Sequence, residues 1–256
     1  MILGSTRKNI TILSLFFLIT GFAGLFYFNF TVYNLLLTLI FFYIYNILGN
    51  WMTLHRYYSH KSFEFKNLFL KNVFTIIALL AGRGSVLGWT YIHRIHHAYS
   101  DTDIDPHSPK LLGFKLFGFG QYKKLEENNM KLFLVKDLMT PEHLFYHKYY
   151  FVLLITFITV LGSINLSLLY FTYVLPCVLV HISQNLFNYF GHTNGYRNFV
   201  TKDNSTNNFW LFPLILGECW HNNHHHNPKT YTTKILKNEF DPLSSFIYLI
   251  SKSYKT

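Results

Sequence analysis

The apolar and polar positions divide the chain into a few long hydrophobic runs separated by charged segments. An apolar run of about 20 residues is long enough to cross the hydrocarbon core of a bilayer as a helix. Four runs meet or approach that length, at about 10–28, 31–50, 149–161 and 166–187. The third is short, but apolar and aromatic residues continue upstream of it. The pattern therefore predicts four membrane helices arranged as two hairpins.

A fifth apolar stretch, at about 68–89, calls for a different interpretation. It carries basic residues and the flexible sequence Gly82-Arg83-Gly84. If it crossed the membrane, the histidine-containing segments on either side of it, 55–60 and 93–97, would lie on opposite faces of the bilayer. We therefore predict an interfacial or re-entrant segment.

The distribution of lysine and arginine predicts the orientation of the chain. The short connections within the two predicted hairpins carry no charge, whereas the N-terminus, the long middle segment and the tail hold nearly all the basic residues. By the positive-inside rule, both termini and the middle segment are cytoplasmic. We expect an all-α integral membrane protein with a single domain, 1–256, whose cytoplasmic helical cap is formed by 51–148 and 188–256.

Composition agrees with a membrane protein. Half of the 256 residues are hydrophobic and 13% are charged, whereas soluble domains carry roughly 25% charged residues. The formal net charge of +10 suits a face near anionic lipid, an acidic protein partner or a phosphorylated ligand, and we expect no nucleic-acid partner. Cys177 lies in an apolar run and Cys219 beside a histidine cluster, so a disulfide framework is not predicted.

Histidine is the residue whose distribution indicates chemistry. Of the 14 histidines, most fall into three clusters of the predicted cap. The clusters are His55-Arg-Tyr-Tyr-Ser-His60, His93-Arg-Ile-His96-His97 and His221-Asn-Asn-His224-His225. Residues at i, i+3 and i+4 share one face of a helix, so the imidazoles of the second and of the third cluster can each converge on one point. The first pair is five residues apart, which still brings both rings toward one side of a helix end.

Convergent imidazoles predict a transition-metal site. Neutral imidazole binds iron, zinc, copper and nickel. Eight of them exceed the three or four protein ligands of one zinc site and fit two ions. One histidine pair near a membrane surface is more often a hydrogen-bonding feature, but three clusters on one predicted face favour metal binding. The remaining histidines lack this pattern and are not expected to be ligands: His107, His143, His147, His181 and His226.

The clusters and their surroundings resemble the integral-membrane fatty acid desaturases, specifically the acyl-CoA delta-9 (stearoyl-CoA-like) group and its bacterial members. The first cluster looks like that group's first histidine box. Asp105-Pro-His-Ser-Pro109 looks like the stretch after its second box, and Gly217-Glu-Cys-Trp-His-Asn-Asn-His-His225 is similar to its third. Asn188-Tyr-Phe-Gly-His192 resembles the family's Asn-x3-His. The resemblance extends over about residues 40–228.

This resemblance implies a centre of two iron ions with nine histidine ligands and a water molecule held by Asn188. The implied ligands are His55, His60, His93, His96, His97, His192, His221, His224 and His225. The sequence does not say which ligand serves which ion.

The resemblance also implies side chains around an acyl chain. Trp89, four residues before the second box, holds the position at which the family's substrate tunnel bends. Gln184 stands where members often have Thr, so the tunnel wall is expected to differ there. Tyr43 lies twelve residues before His55, where the group closes the tunnel. It is either a determinant of chain length or a lipid-facing aromatic residue.

Charged residues near the clusters have two expected roles. Basic residues either contact the phosphates of a substrate headgroup or only reflect the cytoplasmic side: Arg56, Lys61, Arg94, Arg197 and Lys202. Acidic residues either orient the ring N–H groups of the ligands or are solvated loop charges: Asp101, Asp105, Asp203 and Glu218. Asp105 is the strongest of these candidates, because the family match covers it.

The activity implied is O₂-dependent insertion of a cis double bond, at the delta-9 position, into a long-chain acyl group on coenzyme A, a carrier protein or a lipid. No haem-binding or rubredoxin-like cysteine set is expected here, so electrons would come from a separate cytochrome b5, ferredoxin or rubredoxin. A membrane hydroxylase with the same di-iron shell is the nearest alternative. A transition-metal transporter or sensor is the alternative from another class, but transporters place ionisable ligands near the middle of the bilayer, whereas these clusters follow predicted helix ends.

Overall fold

The computed structural model describes residues 7–113 and 132–256. The first six residues and residues 114–131 of the predicted cap lie outside this description. The described chain is mostly helical, and four of its helical stretches are long and apolar enough to cross a membrane: Asn9–Tyr27, Val32–Ser59, Pro141–Ile164 and Leu166–Phe190. The prediction of four such helices is confirmed.

The helix bounds differ from the hydrophobic runs in physically understandable ways. Helix α1 is Arg7–Tyr27 and α2 is Val32–Tyr43. Helix α6, Pro141–Ile164, begins eight residues before the predicted run because Thr140 caps it: the hydroxyl of Thr140 accepts a hydrogen bond from the amide of His143. The polar residues of its first turns hide this start from a hydropathy pattern.

The second long helix does not end before the first histidine cluster. Helix α2 continues directly as a π-helix, Ile44–Ser59, which contains His55. In a π-helix the backbone bonds join residues five apart, and the amide of His60 donates to the carbonyl of His55 at 3.2 Å. The five-residue spacing of the first cluster therefore matches the spacing of the backbone hydrogen bonds in the π-helix.

The apolar stretch at 68–89 forms two helices instead of one. Helix α3, Leu68–Leu80, has 13 residues, roughly 20 Å of helix, which is short of the roughly 30 Å hydrocarbon core. The chain then turns through Gly82 and Gly84, whose φ angles of 72° and 103° suit glycine, into α4, Val86–Tyr99. The segment thus contains no single spanning helix, and its position at the membrane surface stays a prediction.

Short elements complete the cap. They are α5 (Pro109–Leu112), α9 (Phe212–Ile215), α10 (His221–His226) and α11 (Pro242–Ile250). Strand β1, Phe63–Phe65, pairs antiparallel with β2, Ser251–Tyr254. The C-terminal strand therefore returns to the chain just after the first histidine cluster.

The hydrophobic core between the long helices is largely aromatic. The last long stretch consists of α7 (Leu166–Leu169), a π-helical turn (Tyr170–Val174) and α8 (Leu175–Phe190). Tyr170 packs so closely on α1 that a Cβ at Gly24 would lie 2.0 Å from its ring. Its hydroxyl donates to the carbonyl of Gly21 at 2.8 Å. Glycine at position 24 therefore permits the contact that joins the first and fourth long helices.

Candidate metal centre

All nine histidines implied as ligands come together in two groups. The larger group has five members: His55, His60, His93, His97 and His224. The smaller has four: His96, His192, His221 and His225. In each group the nearest ring nitrogens lie within 4.8 Å of one another. The division into five and four is not readable from the sequence, because His96 and His97 are neighbours in the chain and belong to different groups.

The rings of the five-histidine group face one another through their Nε2 atoms. His224 Nε2 lies 3.0 Å from His55 Nε2 and 3.1 Å from His97 Nε2. His60 Nε2 lies 2.8 Å from His93 Nε2. The ring nitrogens come from the π-helix, α4 and α10, three elements that are far apart in sequence. Several imidazole nitrogens aimed at one small volume form a donor set that suits a cation.

The four-histidine group has the same character. His221 Nε2 lies 3.0 Å from His192 Nε2. The Nε2 of His225 is buried and has no hydrogen-bond partner within the described chain. A buried ring nitrogen without a partner is costly, and a metal ion bound between these rings would satisfy it. These residues therefore fit a metal ion.

Four carboxylates hold the outer nitrogens of the rings. In each pair the Nδ1 atom of a histidine lies next to a carboxylate oxygen, which leaves Nε2 facing the centre. The pairs are His55–Glu218 at 3.1 Å, His96–Asp105 at 3.0 Å, His192–Asp101 at 3.0 Å and His225–Asp203 at 2.7 Å. All four acidic residues considered from the sequence contact a histidine in this way.

Burial and crowding keep five of the rings in the neutral form that binds metals. Burial first, and then the neighbouring imidazoles, lower the pKa values of a set of histidines well below 6.5: His60, His93, His97, His221 and His224. Burial opposes ionisation of Asp101, but its contacts with His192 outweigh this and lower its pKa to about 2. The site thus combines these five neutral rings with an ionised carboxylate at Asp101.

His107 lies beside the smaller group, although it was not expected to be a ligand. Its ring stacks on that of His96 with centroids 4.1 Å apart, and His96, Asp105 and His107 form a third set of close ligand atoms. Two of these three residues are already hydrogen-bonded to each other, His96 Nδ1 lying 3.0 Å from Asp105. His107 therefore packs against the candidate centre from outside.

Arg56 does not have the position expected of a headgroup contact. Its side chain is 2% exposed, its Nε donates to Glu218 at 2.6 Å and its Nη1 donates to Asp241 at 2.9 Å. A guanidinium enclosed between two carboxylates has no free surface for a substrate phosphate. Arg56 instead ties the Glu218 carboxylate, and through it His55, to the C-terminal tail.

Arg94 also has its donors occupied within the protein. Its guanidinium donates to Asp137 at 2.6 Å and to the carbonyls of Tyr58, Ser59 and Leu134. These bonds fasten α4 to the end of the first cluster. Lys61, also considered for the headgroup, pairs with the same carboxylate, its Nζ lying 2.7 Å from Asp137, but its side chain is 52% exposed.

Trp89 lies directly against the candidate centre. Its ring stacks on His93 with centroids 4.9 Å apart and an interplanar angle of 18°, and it is 6.4 Å from the ring of His55. The indole therefore forms part of the apolar wall around the five-histidine group.

Asn188, implied as the holder of a water molecule, and the implied substrate residues Gln184 and Tyr43 lie along the second and fourth long helices. Asn188 and Gln184 are buried on α8, and the Gln184 amide donates to Asn188 Oδ1 at 3.0 Å. Tyr43 is at the end of α2, where its hydroxyl donates to the carbonyl of Pro213 at 2.6 Å. Tyr43 is thus fixed against the segment that leads into the third cluster.

The sequence reasoning missed two residues of the tail, Glu239 and Asp241. Asp241 accepts from Arg56, and Glu239 accepts from the side-chain amide of Asn223 at 2.9 Å. The signal was available: these are the only acidic residues after Glu218, in a tail that is otherwise basic. They fix α10 and the π-helix from behind the candidate centre.

Replacing Asp203 with Asn tests the role of the carboxylates. The variant loses the charge that orients His225 and should bind metal about 10- to 100-fold more weakly, the range usual for such partners. Glu64→Gln, an exposed carboxylate on β1, is the matched control. The measurement is metal retained against a chelator, and equal retention by both variants would contradict the assignment.

Acidification should release metal and destabilise the protein. Burial, the largest cause, and nearby histidines lower the pKa of His225 to about 4 despite the opposing effect of Asp203. The folded state therefore takes up this proton less readily than the unfolded state, whose pKa is about 6.5, and the stability present above pH 6.5 is lost as the pH falls toward 4. Melting temperature and metal content measured from pH 7.5 to 4.5 should both decline, and flat profiles would contradict this.

Comparison with known proteins agrees with the arrangement of the site. A sequence model described as fatty acid desaturase matches residues 31–237. The chain is 32% identical over 231 residues to the sn-1 stearoyl-lipid 9-desaturase of Anabaena variabilis, a match covering 86% of this chain and 83% of that protein.

Two further relatives match over a smaller part of their length. The chain is 33% identical over 211 residues to the Delta-9 acyl-lipid desaturase 1 of Arabidopsis thaliana, covering 77% of this chain and 66% of that one. It is 33% identical over 192 residues to the Acyl-CoA C20 Delta5-desaturase of Anemone leveillei, a match covering 70% of this chain and 58% of that protein. The chain thus spans slightly less than two thirds of the length of these two relatives.

Proposed function

The chain belongs to the fatty acid desaturase family, and on that premise we propose that it inserts a cis double bond into a long-chain fatty acyl group at a centre of two iron ions. The observation that carries the proposal is the convergence of nine histidines into two adjacent groups. Each group would hold one ion, with a water molecule on Asn188 completing the shell of the smaller one. The delta-9 position is proposed because several relatives are named as delta-9 desaturases.

Removing hydrogen from an unactivated methylene needs an oxidant that side chains cannot provide, and bound iron, reduced by a donor and supplied with O₂, would supply that chemistry. The residues of this chain do the rest. The histidines hold the ions through Nε2, and the four carboxylates fix the ring orientation from behind. Trp89 excludes water on one side and helps hold one C–C bond of the acyl chain at the centre.

The acyl carrier is proposed to be coenzyme A, a carrier protein or a membrane lipid. Relatives are named for acyl-lipid and for acyl-CoA substrates. Arg56 and Arg94 are engaged within the fold, so a headgroup would have to meet other basic residues. We propose that both termini and the site are cytoplasmic, where an external cytochrome b5, ferredoxin or rubredoxin delivers the electrons.

Tyr43 is proposed to limit the length of the acyl chain. Its hydroxyl is fixed to Pro213, so the ring has a defined position beside the second long helix. Tyr43→Ala should shift the preferred substrate toward longer chains, whereas Tyr43→Phe, which keeps the ring, should shift it less. Product distributions from a mixture of C14 to C20 substrates would measure this, and an unchanged preference in the alanine variant would remove the idea.

Expression in a desaturase-deficient host, followed by gas chromatography of its fatty acids, tests the proposed function. An unsaturated product that is absent from a His96→Ala strain is expected, and its mass spectrum gives the bond position. Hydroxylated fatty acids in its place would identify the related hydroxylase chemistry. Metal uptake without oxygen consumption or a new fatty acid would favour a transporter.

A further inference from the structure

Three buried amide side chains connect the second long helix to the fourth beside the candidate centre. The Nδ2 of Asn50 donates to the Oε1 of Gln184 at 2.7 Å, and the Nε2 of Gln184 donates to the Oδ1 of Asn188 at 3.0 Å. The three residues are 0%, 6% and 5% exposed. We call Asn50, Gln184 and Asn188 the amide relay.

The relay joins two helices that lead to ligands of different groups: the π-helix carries His55 of the five-histidine group, and His192 of the four-histidine group follows α8. Asn50 and His55 both lie in the π-helix, five residues apart, which is the spacing of its backbone hydrogen bonds. Asn188 lies near the end of α8, and His192 lies four residues later, in the turn that follows the helix. Polar groups in such an apolar interior are costly unless they are hydrogen-bonded, so the bonds of the relay resist rotation of each amide.

The direction of the bonds determines what Asn188 offers to the centre. An amide oxygen has two acceptor positions, and Gln184 occupies one of those on Asn188. The second stays available for a donor, while the bond from Gln184 keeps the amide from turning over. A water molecule that is bound to a metal ion is a strong donor of this kind.

We propose that Gln184 is a positioning residue, which holds the Asn188 amide so that its oxygen accepts a hydrogen bond from the water of the four-histidine group. Asn50 holds Gln184 in turn. This inference rests on the proposed function, since it assumes that two metal ions bind. It predicts that a residue with no ligand atom of its own controls how tightly one of the two ions is retained.

A neighbouring pair supplies a matched control. The amide of Asn46 donates to the hydroxyl of Ser183 at 3.2 Å, between the same two helices. Ser183 is also buried, but its hydrogen bond is with Asn46, which is not part of the relay. Ser183→Ala thus removes a buried polar contact of the same interface and leaves the relay intact.

The test is the number of iron ions that purified protein retains as a chelator is added. Gln184→Met, which keeps the length of the side chain and removes both bonds, should release the more weakly held ion at about tenfold lower chelator concentration, the smaller end of the range for such partners. Asn50→Leu should have the same effect in weaker form. The double variant should resemble Gln184→Met alone, because both changes break one relay. Ser183→Ala should resemble wild type.

The possible results distinguish a failure of the amide relay from a failure of the proposed function. Wild-type protein that binds fewer than two ions would contradict the function itself. Two ions in wild type with an unchanged release profile for Gln184→Met would overturn the relay. Equal losses from Ser183→Ala and Gln184→Met would also overturn it, because they would indicate general loosening of the helix interface.

Discussion

Replacing His224 with alanine is expected to abolish the unsaturated product and to lower the iron content to one ion per chain or fewer. His224 is central to the five-histidine group, since its Nε2 faces both His55 and His97. Its side chain is buried. We therefore expect no other side chain of the five-histidine group to replace the lost nitrogen. Iron content and product yield are measured on the same preparation.

His226→Ala is the matched control for this variant. His226 is two residues along the same helix, but its ring stacks on Phe199 with centroids 3.8 Å apart and belongs to neither group. It should keep both iron ions and near wild-type yield. If His224→Ala kept wild-type iron and product, the assignment of the five-histidine group would be wrong.

Replacing Arg56 with methionine is expected to destabilise the protein by about 3–5 kcal/mol, the usual cost of leaving buried charges without their partner. Glu218 and Asp241 would lose the guanidinium that lies between them, both at 1% exposure or less. For a chain of this size the loss corresponds to a fall in melting temperature of roughly 6–20 °C. Metal retention should fall as well, because Glu218 also orients His55.

Lys71→Met is the comparison for Arg56→Met. Lys71 pairs with Glu142 at 3.0 Å, where the side chains are 21% and 40% exposed, and exposed pairs contribute at most about 1 kcal/mol. Thermal unfolding in detergent, followed by the loss of the monodisperse peak, measures both variants. Similar melting temperatures for the two would show that the buried pair does not stabilise the cap.

The sequence predicted those features that depend on local pattern. Apolar length predicted the four long helices, and the i, i+3, i+4 spacing predicted that the rings of the second and third clusters share a face. The geometry of the first cluster was harder to predict, because residues five apart do not share a face of an α-helix. Its geometry depends on a π-helix that hydropathy does not reveal.

The features that were missed depend on tertiary contacts. Arg56 looked like a surface cation, since a charge next to a predicted helix end is usually solvated. Its burial requires Asp241, which is more than 180 residues later in the chain. The division of His96 and His97 between two groups likewise depends on distant residues: His97 meets His224, whereas His96 meets His192. Neither contact has a signature in the local sequence.

A centre in which nine histidines hold two iron ions would give the protein a fixed iron content. The most direct measurement is the iron content of protein that has been purified in detergent and reconstituted anaerobically with Fe(II), by plasma mass spectrometry against quantitative amino-acid analysis. Two iron ions per chain are expected. One ion or none, in protein that is folded and monodisperse, would contradict this expectation.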